Sequence, residues 1–221
     1  MSAPATGQTA SIMRVLYHHR TQGEEPESIH IGAIVAALRE LGHDVRIVGP
    51  VDLEHPHSTA TPAAAAAGPR RPHLLGRIKQ AVPRAVFELL QVGYNLVAWR
   101  RLSRAIDEFK PDLVYERYAL FGFAGVMVAR RRGVPFILEC NTPYAQAWAK
   151  YYGLHLQRLA RWLERRTLRA ASHVITLTHV QAALLKELGV APGRLTVSHN
   201  AIDPKDFDAH LGDREGMRER L

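Results

Sequence analysis

The chain has 221 residues, of which 47% are hydrophobic and 23% charged, with 16 Gly, 13 Pro and one cysteine. This composition is typical of a globular protein with one large or two small domains, and it excludes collagen-like and disulfide-framework proteins. Lys and Arg outnumber Asp and Glu by 29 to 21, and the net charge of +8 predicts an anionic partner such as nucleic acid, a membrane face or a phosphorylated substrate.

The ends and the cysteine content predict where the protein resides. Residues 1–11 read as a disordered tail without the basic start and apolar run of a secretory signal. No stretch reaches the roughly 18 consecutive apolar residues that span a bilayer. Because Cys140 has no partner within the chain, a reducing cytoplasm is the expected compartment.

The first elements predict one β-α-β unit. Residues 12–17 are a short apolar strand, and residues 28–41 carry apolar side chains at a spacing of three and four, which indicates a helix. Gly42 is expected to end this helix, and residues 45–48 form a second buried strand. Such a unit has parallel strands and a right-handed crossover.

The region after the second strand changes in composition. Residues 52–73 are rich in Pro, Ala, Ser and Thr and predict a mobile surface loop. Two helices are expected over residues 74–109, the first crossing Pro83 and the second starting near Tyr94. The side chains expected to face inward are Leu96, Val97, Leu102 and Ile106.

The remaining chain predicts further strands that alternate with helices. A long helical stretch over residues 144–170 is expected to break at Gly153, and a short helix over residues 181–188 precedes Gly189. The strands are expected at residues 113–115, 135–139, 173–177 and 194–198. We therefore predict an α/β fold with six parallel strands and helices on both faces, a Rossmann-like doubly wound domain.

Ligands of an open parallel sheet bind beyond the carboxyl ends of its strands, so the residues after each strand are the candidate site. The loop after the first strand, HHRTQGEEPESIH, has Gly23 alone and three glutamates, which argues against a bound NAD or FAD and against an oxidoreductase. Ser28 is a plausible N-cap whose helix end could bind a small anion or be capped only.

Charged residues follow two central strands. Glu116 and Arg117 either pair with each other as a structural ion pair or face the crevice. Glu139 and Asn141 place a carboxylate beside an amide, a combination suited to sugar hydroxyls. The binding residues that we predict are His18, Arg20, Gly23, Ser28, Glu116, Arg117, Glu139, Asn141 and Thr142.

Other motifs are missing or ambiguous. The histidines show no zinc spacing, so we expect no bound metal, and the sequence has neither a phosphate-binding P-loop nor a nucleophile elbow. Basic residues concentrate between positions 70 and 104, where they indicate either a solvated helix face or a contact with an anionic membrane; nucleic acid is disfavoured. The residues expected to face a membrane are Arg77, Lys79, Arg84, Arg100, Arg101 and Arg104.

Four segments resemble the amino-terminal half of family-4 retaining glycosyltransferases, two-domain enzymes of the GT-B fold. They are MRVLYHH with IHIGAIVAALRELGHDVRIVGP, then PDLVYERY with GVPFILECNTP, then ERRTLRAASHVITLTHVQAALLKELGV, and finally RLTVSHNAIDPKDF, which is similar to the family's hinge. The resemblance covers roughly residues 12–208 and makes residues 201–221 the hinge and the start of a second domain.

The resemblance implies transfer of a sugar from a nucleotide-sugar donor to a glycan or lipid-linked acceptor, without a protein-bound metal or cofactor. The amino-terminal domain would bind the acceptor, and a second domain beyond Leu221 would bind the donor, so this chain alone is expected to be inactive as a fragment, a truncated product or half of a split enzyme. Polysaccharide or glycolipid assembly at the inner face of the cell membrane is the expected setting.

Three departures from the family pattern qualify the resemblance. The Gly-Gly of the family's first loop is replaced by Glu25 and Pro26, a histidine-bearing strand end is replaced by residues 115–117, and Ala201 stands at a hinge glycine. Members with an E-x-N-x-P strand end are more similar to this chain, and there Glu139, Asn141 and Pro143 would line the cleft. The alternative function is a non-catalytic Rossmann-like module that binds an anionic membrane or a partner protein.

Overall fold

The computed structural model describes residues 11–21, 27–51 and 83–199. Residues 1–10 of the predicted tail over residues 1–11, the whole predicted loop over residues 52–73, and the predicted hinge segment over residues 201–221 lie outside the described residues. The domain boundaries proposed from the sequence therefore stay predictions.

A six-stranded parallel sheet forms the centre of the domain. Its strands in chain order are β1 Arg14–His18, β2 Asp44–Val48, β3 Leu113–Arg117, β4 Phe136–Glu139, β5 His173–Thr176 and β6 Leu195–Val197. They lie side by side in the order β2-β1-β3-β4-β5-β6, and every neighbouring pair is parallel. The predicted Rossmann-like α/β fold is confirmed, and the strand order reverses between β1 and β3.

Six α-helices flank the sheet in the described residues. They are α1 Glu27–Glu40, α2 Arg84–Phe109, α3 Ala124–Arg132, α4 Tyr144–Tyr151, α5 Gln157–Ala170 and α6 His179–Glu187, and a 3-10 turn at Pro192–Arg194 precedes β6. The predicted break in the long helical stretch is confirmed, because α4 and α5 are separated by a segment in which Gly153 has a φ of 68°.

Two cores on opposite faces of the sheet explain why these segments fold as they do. On one face, α1 packs Ile31 and Val35 against Val15 and Tyr17 of β1. On the other face, α2, α3, α5 and α6 cover apolar side chains of β1, β3, β4 and β5, such as Leu16. Strand residues alternate between the faces, so successive side chains of β1 enter different cores.

Glycine ends α1 as predicted. Gly42 has a φ of 87°, its N–H donates to the carbonyl of Arg39 at 2.9 Å, and the N–H of His43 donates to Leu38 at 3.1 Å. This pattern satisfies the last carbonyls of the helix. Two details differ from the sequence prediction: Leu41 is exposed beyond the helix end, and Ser28 lies within the first turn, one residue past the start at Glu27, so it is not the N-cap.

The helix α2 differs most from the sequence prediction. It is a single helix of 26 residues that runs through Tyr94 without a break, and Pro83 precedes its first residue instead of lying within it. Leu102 and Ile106 are buried as predicted, but Leu96 and Val97 face solvent. The inward face carries Asn95 and Ala98 instead. The apolar pattern of the sequence does not indicate a buried polar residue such as Asn95, and the predicted face of the helix was wrong for that reason.

Asn95 connects α2 to the start of α3. Its Oδ1 accepts from the N–H groups of Phe123 and Ala124 at 2.9 and 3.1 Å, and its Nδ2 donates to the carbonyls of Phe121 and Val92. No side chain of the preceding loop caps α3, so an amide from another helix satisfies its free N–H groups.

We expect Asn95→Ala to lower the free energy of unfolding by about 2–4 kcal/mol, because it leaves several buried backbone groups without partners. Leu96→Ala, on the exposed side of the same helix, is the matched control and should change it by less than about 1 kcal/mol. Chemical denaturation followed by circular dichroism measures both. Equal effects of the two substitutions would show that the amide does not stabilise the start of α3.

Candidate functional site

Polar side chains collect at the carboxyl ends of β1, β3 and β4. The strand register aligns His18 with Glu116 and, on the opposite face of the sheet, Arg117 with Glu139, so residues far apart in sequence lie side by side. The strand order reverses between β1 and β3, and open parallel sheets bind ligands at the carboxyl edge beside such a switch point.

Glu116 forms a buried pair with His18. The Nδ1 of His18 lies 2.6 Å from Oε2 of Glu116, and the two side chains are 3% and 1% exposed. The carboxylate lies against Gly125 in the first turn of α3, where no side chain fits and where the helix dipole favours a negative charge. The described partner of Glu116 is therefore His18, and not Arg117 as in the ion pair considered from the sequence.

Glu139 is the centre of a second, larger cluster. Its Oε1 accepts from Nε2 of His30 at 2.9 Å and from Nδ2 of Asn141 at 2.8 Å, while its Oε2 accepts from the hydroxyl of Tyr115 at 3.0 Å. Glu139 is 3% exposed, but His30 is 28% exposed. The carboxylate thus holds a ring that reaches solvent, and burial beside it raises the pKa of Tyr115.

Three of the buried polar atoms that have no hydrogen-bond partner among the described residues belong to the side of the sheet that carries Glu139. They are the hydroxyl of Tyr17, Nη1 of Arg117 and Oδ1 of Asn141. Tyr17 stacks on Tyr115 with ring centroids 5.1 Å apart, and Arg117 extends from the same strand as Tyr115. Buried polar groups in folded proteins nearly always have partners, so these atoms mark a place where water or a ligand binds.

The segment after β4 is fixed by α6. The carbonyl of Asn141 accepts from the side-chain amide of Gln181 and from the hydroxyl of Thr142, the latter at 2.8 Å. Thr178 caps α6 by accepting from the N–H of Gln181 at 3.2 Å. The amide of Asn141 is therefore held beside Glu139 by a neighbouring helix.

Arg20, which follows β1, contacts the helix α2. Its Nη2 donates to the carbonyl of Gln91 at 2.8 Å, and its guanidinium lies 4.9 Å from the ring centroid of Tyr94. Burial lowers the pKa of Arg20. These contacts join the residues that follow β1 to the long helix.

The profile of Glycosyltransferase Family 4 matches residues 28–206, a range that includes β2 to β6 and the Glu139 cluster, which consists of Glu139, His30, Asn141 and Tyr115. The chain belongs to Glycosyltransferase Family 4. No curated protein sequence matches it.

Solved structures with the same fold as this family-4 domain are distant in sequence. UDP-GlcNAc 2-epimerase of Neisseria meningitidis bound to UDP-GlcNAc is 14% identical with a TM-score of 0.51, over 95% of this chain and 53% of that one. Alr3699/HepE of Anabaena with UDP is 12% identical, and a glycosyltransferase of Rickettsia africae is 13% identical; both have a TM-score of 0.50 and cover 95% of this chain. The chain spans about half the length of these proteins, which are 50% and 48% covered in the latter two cases.

The structure brings most of the predicted binding residues of the family-4 domain to one edge, in two groups. His18, Glu116 and Arg20 form contacts on the side of α2 and α3, whereas Glu139, Arg117 and Asn141 lie with α1. Thr142 contacts the second group through Asn141, Ser28 lies half-buried in the first turn of α1, and Gly23 lies outside the described residues. The binding roles of these residues stay predictions.

Sequence reasoning omitted His30 and Tyr115 from the predicted site. Tyr115 is the last residue of the strand predicted at residues 113–115, and His30 lies within the helix predicted at residues 28–41. A usable signal existed, because the first turn of a helix that follows a parallel strand lies at the carboxyl edge of the sheet. His30 is three residues past the start of α1 and meets that condition.

Among the residues predicted to face a membrane, two are engaged with backbone groups. Arg84 donates to the carbonyl of Tyr152 at 2.8 Å and Arg101 to that of Gly49 at 3.1 Å. Arg100 and Arg104 are exposed, and Arg77 and Lys79 lie outside the described residues. The described residues contain no group of His, Cys, Asp and Glu side chains that could hold a metal ion, and none of their helices is long and apolar enough to cross a membrane.

The buried imidazole of His19 makes the free energy of unfolding of the domain depend on pH. It is 1% exposed and packs on Gly49, and burial together with the neighbouring His18 lowers its pKa to about 4. In the unfolded chain its pKa is about 6.5, so between these values the unfolded state binds a proton that the folded state does not. Stability is therefore lost as pH falls from about 6.5 to about 4.

We expect His19 to account for up to about 3 kcal/mol of this loss. Urea denaturation at a series of pH values should show a steeper decline over this window for the wild type than for His19→Asn. Identical slopes of the two proteins would mean that the imidazole is protonated without penalty in the folded state. The His43→Asn variant, which alters a less buried histidine, is the control.

Proposed function

We propose that this family-4 domain is the acceptor-binding half of a glycosyltransferase, which moves a sugar from a nucleotide-sugar donor to a glycan or lipid-linked acceptor. The observation that carries the proposal is the Glu139 cluster at the switch point of the sheet. It combines a buried carboxylate, an imidazole that is 28% exposed and buried polar atoms without partners among the described residues, one of which is Oδ1 of Asn141.

The geometry suits recognition of hydroxyl groups. Because Glu139 accepts the Nε2–H of His30, the other ring nitrogen, Nδ1, is left as an acceptor in the neutral imidazole. A hydroxyl group of the sugar-accepting substrate could donate a hydrogen bond to Nδ1 of His30. A neighbouring hydroxyl of the same substrate could donate a hydrogen bond to Oδ1 of Asn141. Arg117, whose Nη1 has no described partner, would bind a hydroxyl or an anionic group of the same substrate.

The donor would be held mainly by a second domain of the same or another chain. Structures of similar fold include proteins solved with UDP, with UDP-glucose and with UDP-GlcNAc, and the present chain spans about half the length of each. UDP-sugars are therefore the first donors to test. In agreement with the family resemblance, we propose retention of anomeric configuration, no protein-bound metal or cofactor, and a role in polysaccharide or glycolipid assembly at the cytoplasmic face of a membrane.

Glu139→Gln in the enzyme that contains this domain tests the proposal. The amide keeps the shape of the side chain, but it carries no charge and has one acceptor oxygen, so it cannot accept from His30 and Asn141 on one side and from Tyr115 on the other as the carboxylate does. We expect turnover to fall at least about tenfold, the smallest loss typical of a misplaced catalytic or binding group. Transfer of labelled sugar from a panel of UDP-sugars to a lipid and glycan extract measures this.

The control is Glu187→Gln, which makes the same chemical change at an exposed position of α6 and should leave transfer unaltered. Thermal unfolding of both variants separates lost activity from lost folding. Wild-type turnover by a folded Glu139→Gln protein would remove Glu139 from the site.

A further inference from the structure

A groove lined by arginines runs along the outer surface of the helix layer, between α3 and α5. Its volume is about 1280 Å³, and none of its lining residues is acidic. We call it the arginine groove, and its seven basic side chains are Arg130, Arg131, Arg158, Arg161, Arg165, Arg166 and Arg169. All seven are exposed, and this side of the two helices presents a dense positive charge to solvent.

Apolar side chains accompany these arginines. Trp162 is 56% exposed and Met127 is 41% exposed, and both line the groove. The guanidinium of Arg166 lies 5.5 Å from the ring centroid of Trp162. An indole beside guanidinium groups is typical of surfaces that contact the boundary between lipid headgroups and acyl chains.

A second exposed surface lies where α2 begins and α4 ends. We call it the apolar patch, and it consists of Val86, Leu89, Leu90, Tyr151 and Tyr152. The bond from Arg84 to the carbonyl of Tyr152 holds these two helix ends together. Leu89 and Leu90 are each more than half exposed, an unusual position for two adjacent leucines of a helix whose other face is packed in the core.

A buried carboxylate links the start of α2, which carries the apolar patch, to the start of α5, which lines the arginine groove. Glu88, one residue before Leu89, accepts from the N–H groups of His155 and Leu156 at 2.9 and 2.7 Å. These two residues directly precede α5, which carries five of the groove arginines. The start of α2 and the start of α5 are therefore fixed against each other.

We propose that the arginine groove and the apolar patch together form a surface that binds an anionic phospholipid bilayer. The arginines would bind the phosphates of headgroups, and the patch with Trp162 would enter the region between headgroups and acyl chains. This surface differs from the basic segment predicted by the sequence, since α2 contributes aliphatic side chains to it and α3 and α5 contribute the charge.

The combination of the two parts favours a bilayer over a soluble polyanion. A nucleic acid requires basic residues and stacking aromatics, and it gives no role to exposed Val86, Leu89 and Leu90. The apolar patch also lies at the end of α2 that follows β2, which is the sheet edge carrying the Glu139 cluster. A bilayer bound there would lie near the edge at which a lipid-linked acceptor is proposed to bind.

Co-sedimentation of the full chain with vesicles tests the proposal without any activity measurement. The probes are phosphatidylcholine vesicles with and without phosphatidylglycerol. We expect binding that requires the anionic lipid and weakens with salt. Arg161→Glu with Arg165→Glu should lower the partition coefficient at least about tenfold. Leu89→Ser with Leu90→Ser should lower it as well, and this loss should persist at high salt.

The matched control is Lys110→Glu with Lys186→Glu, which changes the net charge equally at two exposed positions that do not line the groove. Circular dichroism verifies the fold of each variant. Equal binding by the groove variant and this control, or no binding by the wild type, overturns the proposal. The proposal is also overturned if soluble polyphosphate or an acidic protein binds the domain in competition with vesicles and if the Leu89→Ser, Leu90→Ser variant binds that competitor as tightly as the wild type does. Sugar transfer by the complete enzyme is scored separately, so failure here leaves the proposed function standing.

Discussion

Four glutamates are buried among the described residues, and the arrangement of the domain depends on how each carboxylate finds its partners. They are Glu88, Glu116, Glu139 and Glu164. An unpaired carboxylate in a protein interior costs several kcal/mol, so the surrounding elements must supply hydrogen bonds or positive charge. All four have partners in this structure.

Three of these carboxylates connect the starts of helices to the rest of the domain. Glu88 accepts from N–H groups just before α5, and Glu164 accepts from the N–H of Ala145 at the start of α4 and from the hydroxyl of Tyr118. Glu116 lies against the first turn of α3 beside His18. Helix starts offer free N–H groups and a favourable dipole, which explains why acidic side chains can be buried at these points. Burial nonetheless raises the pKa of Glu164.

Glu139 accepts hydrogen bonds from three side chains, and one of these partners, His30, reaches solvent. Its hydrogen bonds hold His30 and Asn141 at the carboxyl edge of the sheet, near the point where the strand order reverses. Buried polar atoms without described partners lie beside them. The same helix layer that surrounds the three structural carboxylates presents arginines and leucines outward. Acceptor-binding and membrane-binding roles are therefore proposed for different surfaces of one domain, and they can be tested independently.

The sequence by itself determined the parallel α/β fold, because apolar periodicity and glycine positions such as Gly42 and Gly153 depend on local backbone preferences. It also directed attention to Glu116, Glu139 and Asn141, since residues after parallel strands meet at one edge. Only the tertiary structure decided the partners. It paired Glu116 with His18 and brought His30 to Glu139 across 109 residues. It also turned Leu96 and Val97 outward, because the packing of a long helix depends on the elements around it and not on its own sequence pattern.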